Sequence, residues 1–447
     1  MKKILISFFL YYLRIAASLQ LKKINPKIIA LTGSVGKSSL RDTIYAVLKD
    51  FYKCKKSVKA NSETGIPLDI LGLHLKDYSF LDWLRLTILV PIKLLTNWEK
   101  YDYYIVELGI DEPYPPKNME YLLKFIHPNI AVFLNVALVH AQQFEKIIPK
   151  GKIFKTEKEK QLFLLSAIAK EKGRIITQLS ADKTAIVNFD DVLVYKQAQL
   201  SKSKVFYFGK NTKGESDQEI KIQSWDVNPK GTSFVFTYLG KHFKLDLPYL
   251  LPGYYAYNLA VAMLTGLSLG LEIKQITSAI NANFTLPAGR MFVFKGIKDT
   301  ILLDSSYNAS KFSVLGVLDL VKKLNGKKIF VFGDMRELGN QAKAEHRQVA
   351  KKILTTIDIL VLVGPLTKKY VLPVISSKIE VHWFENSWQA SLWLKNNIKG
   401  KEIILIKGSQ NTIYTEIVVE SLLADKKDIK LLCRRGKFWD KQRKLIN

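Results

Sequence analysis

The residues best suited to chemistry stand near the start of the chain, in the segment T-G-S-V-G-K-S at 32–38. The general phosphate-binding loop reads G-x-x-x-x-G-K-[ST]; its backbone N–H groups surround phosphate oxygens and its lysine reaches the terminal phosphates. Leu31 stands where the leading glycine would be, so this loop is a shortened one. A tight turn without a ligand does not need Lys37 followed by Ser38. The segment therefore predicts a nucleotide site between a strand and a helix.

Apolar segments alternate with amphipathic ones after this loop. Residues 102–109, 129–136 and 184–191 are predicted as buried strands, and stretches such as 117–126 as helices. This alternation is typical of a doubly wound parallel sheet. From about 203 to 249 a period of two residues with glycine turns predicts an antiparallel flap.

A second alternating series follows the segment L-P-A-G-R at 286–290, which is predicted to separate two domains. Each predicted strand of this series ends in glycine or small polar residues, as at the ligand-binding edge of a nucleotide-type sheet. These strands are expected within 299–306, 327–335, 357–364 and 401–409.

The predicted fold class is α/β, with a P-loop-type doubly wound central domain followed by a Rossmann-like α/β C-terminal domain. The expected boundaries are 1–24 for a short apolar N-terminal helix, 25–287 for the central domain and 288–447 for the C-terminal domain.

The charge of the chain is strongly basic, with 68 Lys and Arg against 40 Asp and Glu, a net +28. Such a charge favours anionic partners: nucleotides, nucleic acid or an anionic membrane face. The chain shows no zinc finger and no single basic helix, so nucleic acid is not expected as a partner. The two cysteines, Cys54 and Cys433, form neither a disulfide framework nor a metal quartet, which fits a cytoplasmic location.

The first 24 residues leave several interpretations open. Ten uncharged residues at 4–13 are followed by Arg14. The segment fits a helix that lies in the membrane interface, a helix packed on the protein's own surface, or a spanning or exported segment. Export is disfavoured because a nucleotide site is of little use outside the cytoplasm. The apolar run at 80–98, broken by Pro91, is either core or a second part of a membrane contact.

Several segments resemble the Mur ligase family, the ATP-dependent amide-forming enzymes of peptidoglycan synthesis. Besides the loop, the resembling segments occur in the family's order: NSETGIPLDILGL (61–73), YIVELG (104–109), HPNIAVFLNVALVHAQQF (127–144), IAKEKGRI (168–175), LPAGR (286–290), DSSYNAS (304–310), GDMRELG (333–339) and LIKGS (405–409). The resemblance spans roughly 27–423 and is strongest to the family member that adds D-alanyl-D-alanine.

Two anions, a carboxylate and the γ-phosphate, must approach each other in such a reaction, and like charges repel by about 1 to 4 kcal/mol at 4 Å. Ser38 and Glu107 offer hard oxygens suited to Mg²⁺. The resemblance implies ATP and two Mg²⁺ ions as cofactors, with His140 and a carbamylated Lys172 for the second ion. Lys170 is two residues away, and only the resemblance prefers Lys172.

The residues that the resemblance implies for each role form three groups. The catalytic group is Lys37, Glu107, His140 and Lys172, and the metal group is Ser38, Glu107, His140 and Lys172. The ATP-binding group is Thr32, Gly33, Ser34, Val35, Gly36, Lys37, Ser38, Ser39, Asn258, Arg290, Asp304, Asn308, Asp334 and His346. The substrate group is Asn61, Glu63 and Lys407. Read without the resemblance, Asn308 is a turn former and Asp334 a helix cap.

The expected function is an ATP-dependent amide ligase that adds D-alanyl-D-alanine to a muramyl tripeptide through an acyl phosphate. The alternatives are a related ligase for another amino acid or a polyglutamate acceptor, and a non-catalytic nucleotide-binding membrane protein. Only 31 residues precede Thr32, so the family's N-terminal nucleotide-sugar-binding domain is expected to be absent. A lipid-linked muropeptide, held at the inner face of the cytoplasmic membrane by a monomeric enzyme, would fit.

Overall fold

The computed structural model of the chain describes residues 2–58, 60–76, 79–138, 141–228, 230–375, 377–409 and 412–444. The chain divides into two compact units. The central unit comprises Met1–Gln223, Val235–Phe243 and Tyr257–Phe284, and the second unit comprises Ser224–Phe234, Lys244–Ala256 and Thr285–Asn447.

Up to residue 283 the chain alternates helices and strands, with a run of four consecutive strands before the last two helices. These elements are α1 (Lys2–Ile24), β1 (Lys27–Thr32), α2 (Lys37–Leu48), β2 (Cys54–Lys56), α3 (Gly65–Leu71), α4 (Phe80–Thr96), β3 (Tyr103–Glu107), α5 (Met119–Leu122), β4 (Ile130–Phe133), α6 (Ala141–Phe144), α7 (Glu157–Thr177), β5 (Thr184–Asn188), α8 (Val192–Ala198), β6 (Lys204–Gly209), β7 (Glu219–Asn228), β8 (Gly231–Tyr238), β9 (Lys241–Leu247), α9 (Tyr255–Ser268) and α10 (Ile273–Asn283).

The nine strands form one sheet in the order β2-β3-β1-β4-β5-β6-β7-β8-β9. Neighbours from β2 to β7 pair in parallel, which requires crossover connections between them. Leu31 lies opposite Glu107, and Thr32 lies opposite Phe133. The ends of β1, β3 and β4 therefore meet at one edge of the sheet, and the predicted doubly wound sheet is confirmed.

The region at 203–249 differs from its prediction as an antiparallel flap. Strand β6 pairs in parallel with β5, and β7 pairs in parallel with β6. The up-and-down part is confined to the edge of the sheet, where Leu239 and Gly240 join β8 to β9 with φ of 50° and 70°. Positive φ at both positions suits a tight hairpin turn. The period of two residues in β6 reflects its position near the edge of the parallel part of the sheet. The helix predicted at 117–126 is also shorter than expected, because α5 covers only four residues.

Helix α1 packs one face on the rest of the central unit. Leu13 and Ala16 are buried in a cluster with Leu68 of α3 and with Leu86 and Val90 of α4. Packing on the protein's own surface, one of the three interpretations of this segment, is therefore observed for one face of the helix. In the part of the chain that the structure describes, no helix is long and apolar enough to cross a membrane.

The second unit contains a six-stranded sheet flanked by helices. Its elements are β10 (Phe292–Lys295), β11 (Ile301–Asp304), α11 (Lys311–Lys322), β12 (Lys328–Gly333), α12 (Ala342–Ile353), β13 (Ile359–Val363), α13 (Pro365–Tyr370), α14 (Leu372–Ile375), β14 (Glu380–Phe384), α15 (Ser387–Asn397), β15 (Ile403–Lys407), α16 (Glu416–Leu422) and α17 (Lys437–Lys444). The strand order is β10-β11-β15-β12-β13-β14.

Only β10 runs antiparallel in this sheet, and the other five strands are parallel. Asp304 at the end of β11 lies opposite Ile406, and Phe332 of β12 lies opposite Lys407. The polar residues that follow β11, β12 and β15 thus share one edge. The predicted Rossmann-like α/β fold is confirmed, and β14 is a strand that the prediction did not include.

Candidate active site

The loop between β1 and α2 has the geometry of a phosphate-binding loop. Gly36 precedes α2 with a φ of 93° and a ψ of −6°, a conformation that costs little only for glycine. A Cβ atom on Gly33 would lie 3.0 Å from the Cβ atom of Leu134. Both glycines are therefore required by the backbone, one by conformation and the other by close packing.

Asn135 holds the loop in shape, and the sequence did not single it out as a site residue. Its side-chain oxygen accepts hydrogen bonds from the backbone N–H groups of Ser34 and Val35 at 3.0 and 2.9 Å. Its amide nitrogen donates to the Val35 carbonyl oxygen at 2.9 Å. Only its place in the sequence could have pointed to Asn135, because it is the first residue of the N-V-A-L-V-H segment just after strand β4.

Lys37 begins α2 and folds back over the loop, where its Nζ donates to the Gly33 carbonyl oxygen at 2.8 Å. Thr32, buried at the end of β1, donates to the Leu108 carbonyl oxygen at 2.8 Å. The N-cap residue of α2 is Gly36, which has no side chain to cap the helix. The N–H groups of the first turn and the lysine charge therefore lie at one place, an arrangement that attracts phosphate. Ser39, the last loop residue assigned to ATP, is buried in α2.

Glu107 and Ser38 form a pair of hard oxygen donors beside the loop. The Ser38 hydroxyl donates to Glu107 Oε2 at 3.1 Å, and the Glu107 residue is only 3% exposed. Mg²⁺ prefers such oxygens and usually takes few of its ligands from the protein. The two side chains therefore fit the donor set of a magnesium ion that also binds phosphate.

Arg41 supplies a fixed positive charge to the same carboxylate, and the sequence analysis did not identify it. Its Nη1 lies 2.8 Å from Glu107 Oε1 and donates to the Ser57 carbonyl oxygen at 2.6 Å. On its other side the guanidinium pairs with Asp42 at 2.8 Å. A basic residue one turn after Ser38 was the only hint in the sequence. Arg41 keeps one carboxylate oxygen of Glu107 occupied and orients the other towards Ser38.

The structure separates the two lysines of the K-E-K segment in α7. Lys170 is exposed, whereas Lys172 is buried. Burial, and then the charge of Lys37, hold the pKa of Lys172 well below its usual value, while Asp111 and Glu171 act in the opposite direction. A buried amine with a depressed pKa has the neutral form that reacts with CO₂. His140, the other residue assigned to the second metal, lies outside the described residues.

Residues assigned to the substrate and to adenine flank the loop region of the central unit. The backbone oxygen of Asn61 accepts from Gly109 N at 2.8 Å, just after β3. Burial is the main cause that raises the pKa of Glu63, which also interacts with Lys117 and Asp111. Asn258 is buried in α9, and its Oδ1 would lie 3.8 Å from a Cβ atom placed on Gly36. These contacts bring Asn61 and Glu63 to the end of β3 and Asn258 to the loop.

In the second unit, three residues assigned to ATP lie at the loop after β11: Asp304 ends the strand, Asn308 is in the loop, and Arg290 stacks on it from before β10. Asp304 is fully buried and accepts from Ser306 N at 3.0 Å, while its Oδ2 has no hydrogen-bond partner among the described residues. Burial raises the pKa of Asp304 to about 6. Asn308 is exposed, and Arg290 stacks over the Tyr307 ring at 4.6 Å.

The side chains of Asp334 and His346 are hydrogen-bonded to backbone atoms of the second unit. Asp334 Oδ1 accepts from Thr367 N at 2.8 Å, at the first turn of α13. His346 is fully buried; its Nε2 accepts from Met335 N at 3.1 Å, and its Nδ1 lies 2.7 Å from the Ala342 carbonyl oxygen. Because both ring nitrogens contact backbone atoms, His346 holds the turn after β12. Its assignment to ATP binding stays a prediction. Asp334 binds the first turn of α13 and not the helix that follows it directly, α12.

Lys407, assigned to the substrate carboxylate, is buried at the end of β15, and that assignment stays a prediction. Its Nζ donates to the Asn308 carbonyl oxygen at 2.7 Å and to the Ser305 hydroxyl at 3.1 Å. Burial, and then Arg290, lower the pKa of Lys407 to about 7, against the effect of Asp304. Lys407 thus ties the loop after β11 to the end of β15.

Arg434 fixes the same loop from the C-terminal segment and was missed by the sequence analysis. It forms a buried ion pair with Glu416 at 2.6 Å and donates to the Ser306 and Tyr307 carbonyl oxygens at 2.7 and 2.8 Å. In the sequence, the R-R-G-K run at 434–437 indicates only a charged surface segment. Its neighbouring residues do not indicate that the side chain of Arg434 is buried.

Comparison with known proteins assigns the chain to a family. The Mur ligase middle domain matches residues 31–266, and the glutamate ligase domain of Mur ligases matches residues 289–410. The chain belongs to the Mur ligase family. This Mur ligase is therefore an ATP-dependent ligase, and its shortened loop lies at the start of the matched middle domain.

Relatives of this Mur ligase include two UDP-N-acetylmuramoyl-tripeptide–D-alanyl-D-alanine ligases. The one from Haemophilus influenzae is 25% identical over 89% of this chain and 77% of its own length. The one from Escherichia coli is 26% identical over the same shares of the two chains. A MurF ligase from Thermotoga maritima, solved in complex with ADP, aligns with a TM-score of 0.72 at 21% identity, over 94% of this chain and 84% of its own. That likeness shows a shared fold.

Proposed function

We propose that this Mur ligase joins D-alanyl-D-alanine to a muramyl tripeptide, using ATP to activate the peptide carboxylate as an acyl phosphate. The observation that carries the proposal is the contact of Ser38 with Glu107 beside the Gly33–Lys37 loop. This contact supports a magnesium site beside a phosphate-binding loop. The choice of D-alanyl-D-alanine rests on the names of the similar full-length relatives.

The loop binds and orients the nucleotide. The N–H groups at the start of α2 and the ammonium of Lys37 surround the terminal phosphates and reduce the repulsion that a second anion meets there. Asn135 keeps the loop open by holding Ser34 and Val35. Asn258, next to Gly36, is our candidate for the contact with adenine.

The peptide carboxylate attacks the γ-phosphorus. The bond between this phosphorus and the oxygen that bridges to the β-phosphate breaks, and ADP leaves. The amine of the dipeptide then attacks the acyl carbon, the C–O bond to phosphate breaks, and the amine loses one proton. The released phosphate therefore carries one oxygen from the carboxylate. We assign Asn61 and Glu63, at the end of β3, to the positioning of the substrate.

Ser38 and Glu107 would hold a first Mg²⁺, and Lys172, as a carbamate, would hold a second one with His140. Bound Mg²⁺ neutralises phosphate and carboxylate charge. The burial of Lys172 supports the carbamate, since a neutral amine can take up CO₂ and the product offers oxygens where an ammonium would repel a cation. Arg41 holds the Glu107 carboxylate in place from the opposite side.

We further infer that the enzyme works as a monomer in the cytoplasm, where ATP is available, in peripheral contact with the inner face of the membrane and without a nucleic-acid partner. The basic charge of the chain and the exposed apolar faces of α1 and α4 support the membrane contact.

The test is ADP release with Mg²⁺-ATP, UDP-muramyl-tripeptide and D-alanyl-D-alanine, with each component omitted in turn. We expect release only in the complete mixture, and transfer of ¹⁸O from a labelled tripeptide carboxyl group to phosphate. Release without label in phosphate would contradict the acyl phosphate. No release with any muramyl peptide, free or lipid-linked, would contradict the substrate assignment.

A second candidate is a ligase for glutamate or another amino acid, because the domain matched at 289–410 is described as a glutamate ligase domain. A folylpolyglutamate synthase from Mycobacterium tuberculosis also shares the fold, with a TM-score of 0.60. A screen of amine donors for ADP release distinguishes the two ligases. Retention of biological activity by a Lys37→Ala protein would instead favour a non-catalytic nucleotide-binding protein.

A further inference from the structure

Helices α1 and α4 present exposed apolar side chains in stripes. Their exposed fractions lie between 41% and 76%, and they recur mostly at every third or fourth position, which places them along one side of each helix. They are Ile6, Phe8, Tyr11, Ile15 and Leu19 of α1 and Phe80, Leu81, Leu84, Ile88, Ile92 and Leu95 of α4, with Trp98 just after α4. We call these twelve residues the helix-pair face.

The exposed positions of α4, and those of α1 between residues 6 and 21, carry no charged side chain. Charged residues make up 24% of the chain, so a helix surface of this length would ordinarily carry several. A helix surface that faces only solvent would be expected to carry charged side chains. A contiguous exposed apolar area usually marks an interaction site instead.

The two helices are locked side by side, so their stripes belong to one surface. Four contacts join them at sequence separations of 71 to 77 residues, which shows that the helices run in the same direction. The contacts are Phe9 with Trp83 (ring centroids 4.9 Å apart), Tyr12 Oη to the Thr87 carbonyl oxygen (3.0 Å), Gln20 Nε2 to the Asn97 carbonyl oxygen (2.9 Å) and Lys23 Nζ to the Leu94 carbonyl oxygen (2.5 Å).

Basic residues border this face. Lys22 is exposed in the last turn of α1, and Lys23 lies 4.3 Å over the ring of Trp98. Residues 2–24 contain five basic and no acidic side chains. The nearby carboxylates are neutralised within the protein, since Asp82 pairs with Arg85 and Glu99 pairs with Lys55.

We propose that the helix-pair face docks on an anionic lipid bilayer, with both helices lying in the interface. Apolar stripes enter the boundary between headgroups and acyl chains, while lysines at the helix ends meet lipid phosphates. A tryptophan at the rim is typical of the membrane interface. Lipid fits better than a protein, because a protein partner would have to match two long uncharged stripes and a basic border at once. The docking rests on the peripheral membrane contact proposed above and specifies its surface and lipid, but it does not depend on the ligase reaction.

The test is sedimentation of the full chain with vesicles of phosphatidylcholine alone and of phosphatidylcholine mixed with phosphatidylglycerol. We expect binding to the mixed vesicles, weakened by added salt. The variant Leu84→Glu/Ile88→Glu should bind them at least about tenfold more weakly, because each leucine-sized side chain contributes about that factor when it is buried.

The matched control is Leu162→Glu in α7, since Leu162 and Ile88 are both 57% exposed. This control should bind vesicles like the original chain, and nucleotide binding by all variants checks that they are folded. If the original chain stays in the supernatant with both vesicle types, the proposal is wrong. It is equally wrong if the double variant binds as well as the control, or if it only dissociates a dimer of the original chain.

Discussion

The phosphate loop of the central unit and the strand-end loops of the second unit both contain segments that resemble the family. The polar side chains of the two regions differ in their burial and in their hydrogen-bond partners. Around the phosphate loop, Asn135 bonds to the backbone, while Lys37, Ser38 and Glu107 lie together at the helix start. Lys37 and Ser38 are half-buried, whereas in the second unit His346 and Lys407 are buried and bonded to backbone atoms. A motif therefore locates a functional region, whereas burial and hydrogen bonds distinguish a residue that meets a ligand from one that holds a loop.

The largest expected effect is the loss of turnover in Lys37→Ala. Removing a positioned cation from a phosphoryl-transfer site should lower kcat about 10³-fold, because the charge acts where negative charge develops. The melting temperature should change little, since the Lys37 side chain is only half-buried. Steady-state ADP release and thermal unfolding measure the two quantities.

Lys49→Ala, at the exposed end of the same helix, is the matched control and should keep full turnover. A drop of less than about tenfold in Lys37→Ala would place phosphate elsewhere, because a positioned charge at the reacting group is worth more than that.

Lys172→Ala should lower kcat by about 100-fold, because it removes the side chain that we propose carries a metal-binding carbamate. A short carboxylate such as formate or acetate should partly restore turnover by filling the vacated position with oxygens. The exposed Lys170→Ala is the control and should behave like the original chain. Equal losses in the two variants, or a loss in Lys172→Ala that no carboxylate restores, would speak against the carbamate.

The difference between the two regions also explains how far the sequence could go. Strand periodicity and the glycine spacing predicted both sheets and the loop, because these depend on local pattern. Three features depend on residues that are distant along the chain. Lys407 is bonded to a residue 99 positions away, Arg434 to one 127 positions away, and Arg41 to Glu107, 66 positions away. No local pattern reports such distant partners. The same holds for β6, whose alternating texture suggested a flap although it joins the parallel sheet.

His346→Ala should act on stability rather than on the chemical step. It removes the acceptor of Met335 N and leaves a cavity in the core of the second unit, at a cost of about 3 kcal/mol in the free energy of unfolding. Urea unfolding measures this loss, and kcat at saturating ATP should stay within about threefold of the original because no reacting group is touched. The exposed Arg347→Ala on the same helix is the control. A large fall in kcat with unchanged stability would support the assignment of His346 to the nucleotide site.

The effect that is smallest per measured step concerns the dependence of the free energy of unfolding on pH through Lys407. Its pKa is lowered to about 7 in the folded chain by burial and by Arg290, with Asp304 opposing, whereas the unfolded chain has the ordinary lysine value. Between these two pKa values the unfolded state binds more protons, so the contribution of Lys407 to stability rises with pH. Below about pH 7 the folded state bears the full cost of a buried ammonium ion.

Lys407→Met removes this dependence together with the hydrogen bonds to Asn308 and Ser305. The free energy of unfolding of the original chain, minus that of the variant, should therefore rise from about pH 7 to about pH 10 by at most about 1 kcal/mol per pH unit. The exposed Lys395→Met should give a curve parallel to that of the original chain. A difference for Lys407→Met that is flat, or that falls with pH, would mean that Lys407 remains charged and solvated in the folded chain. That result would support its assignment to the substrate carboxylate, and the contrast between the two units would lose its clearest member.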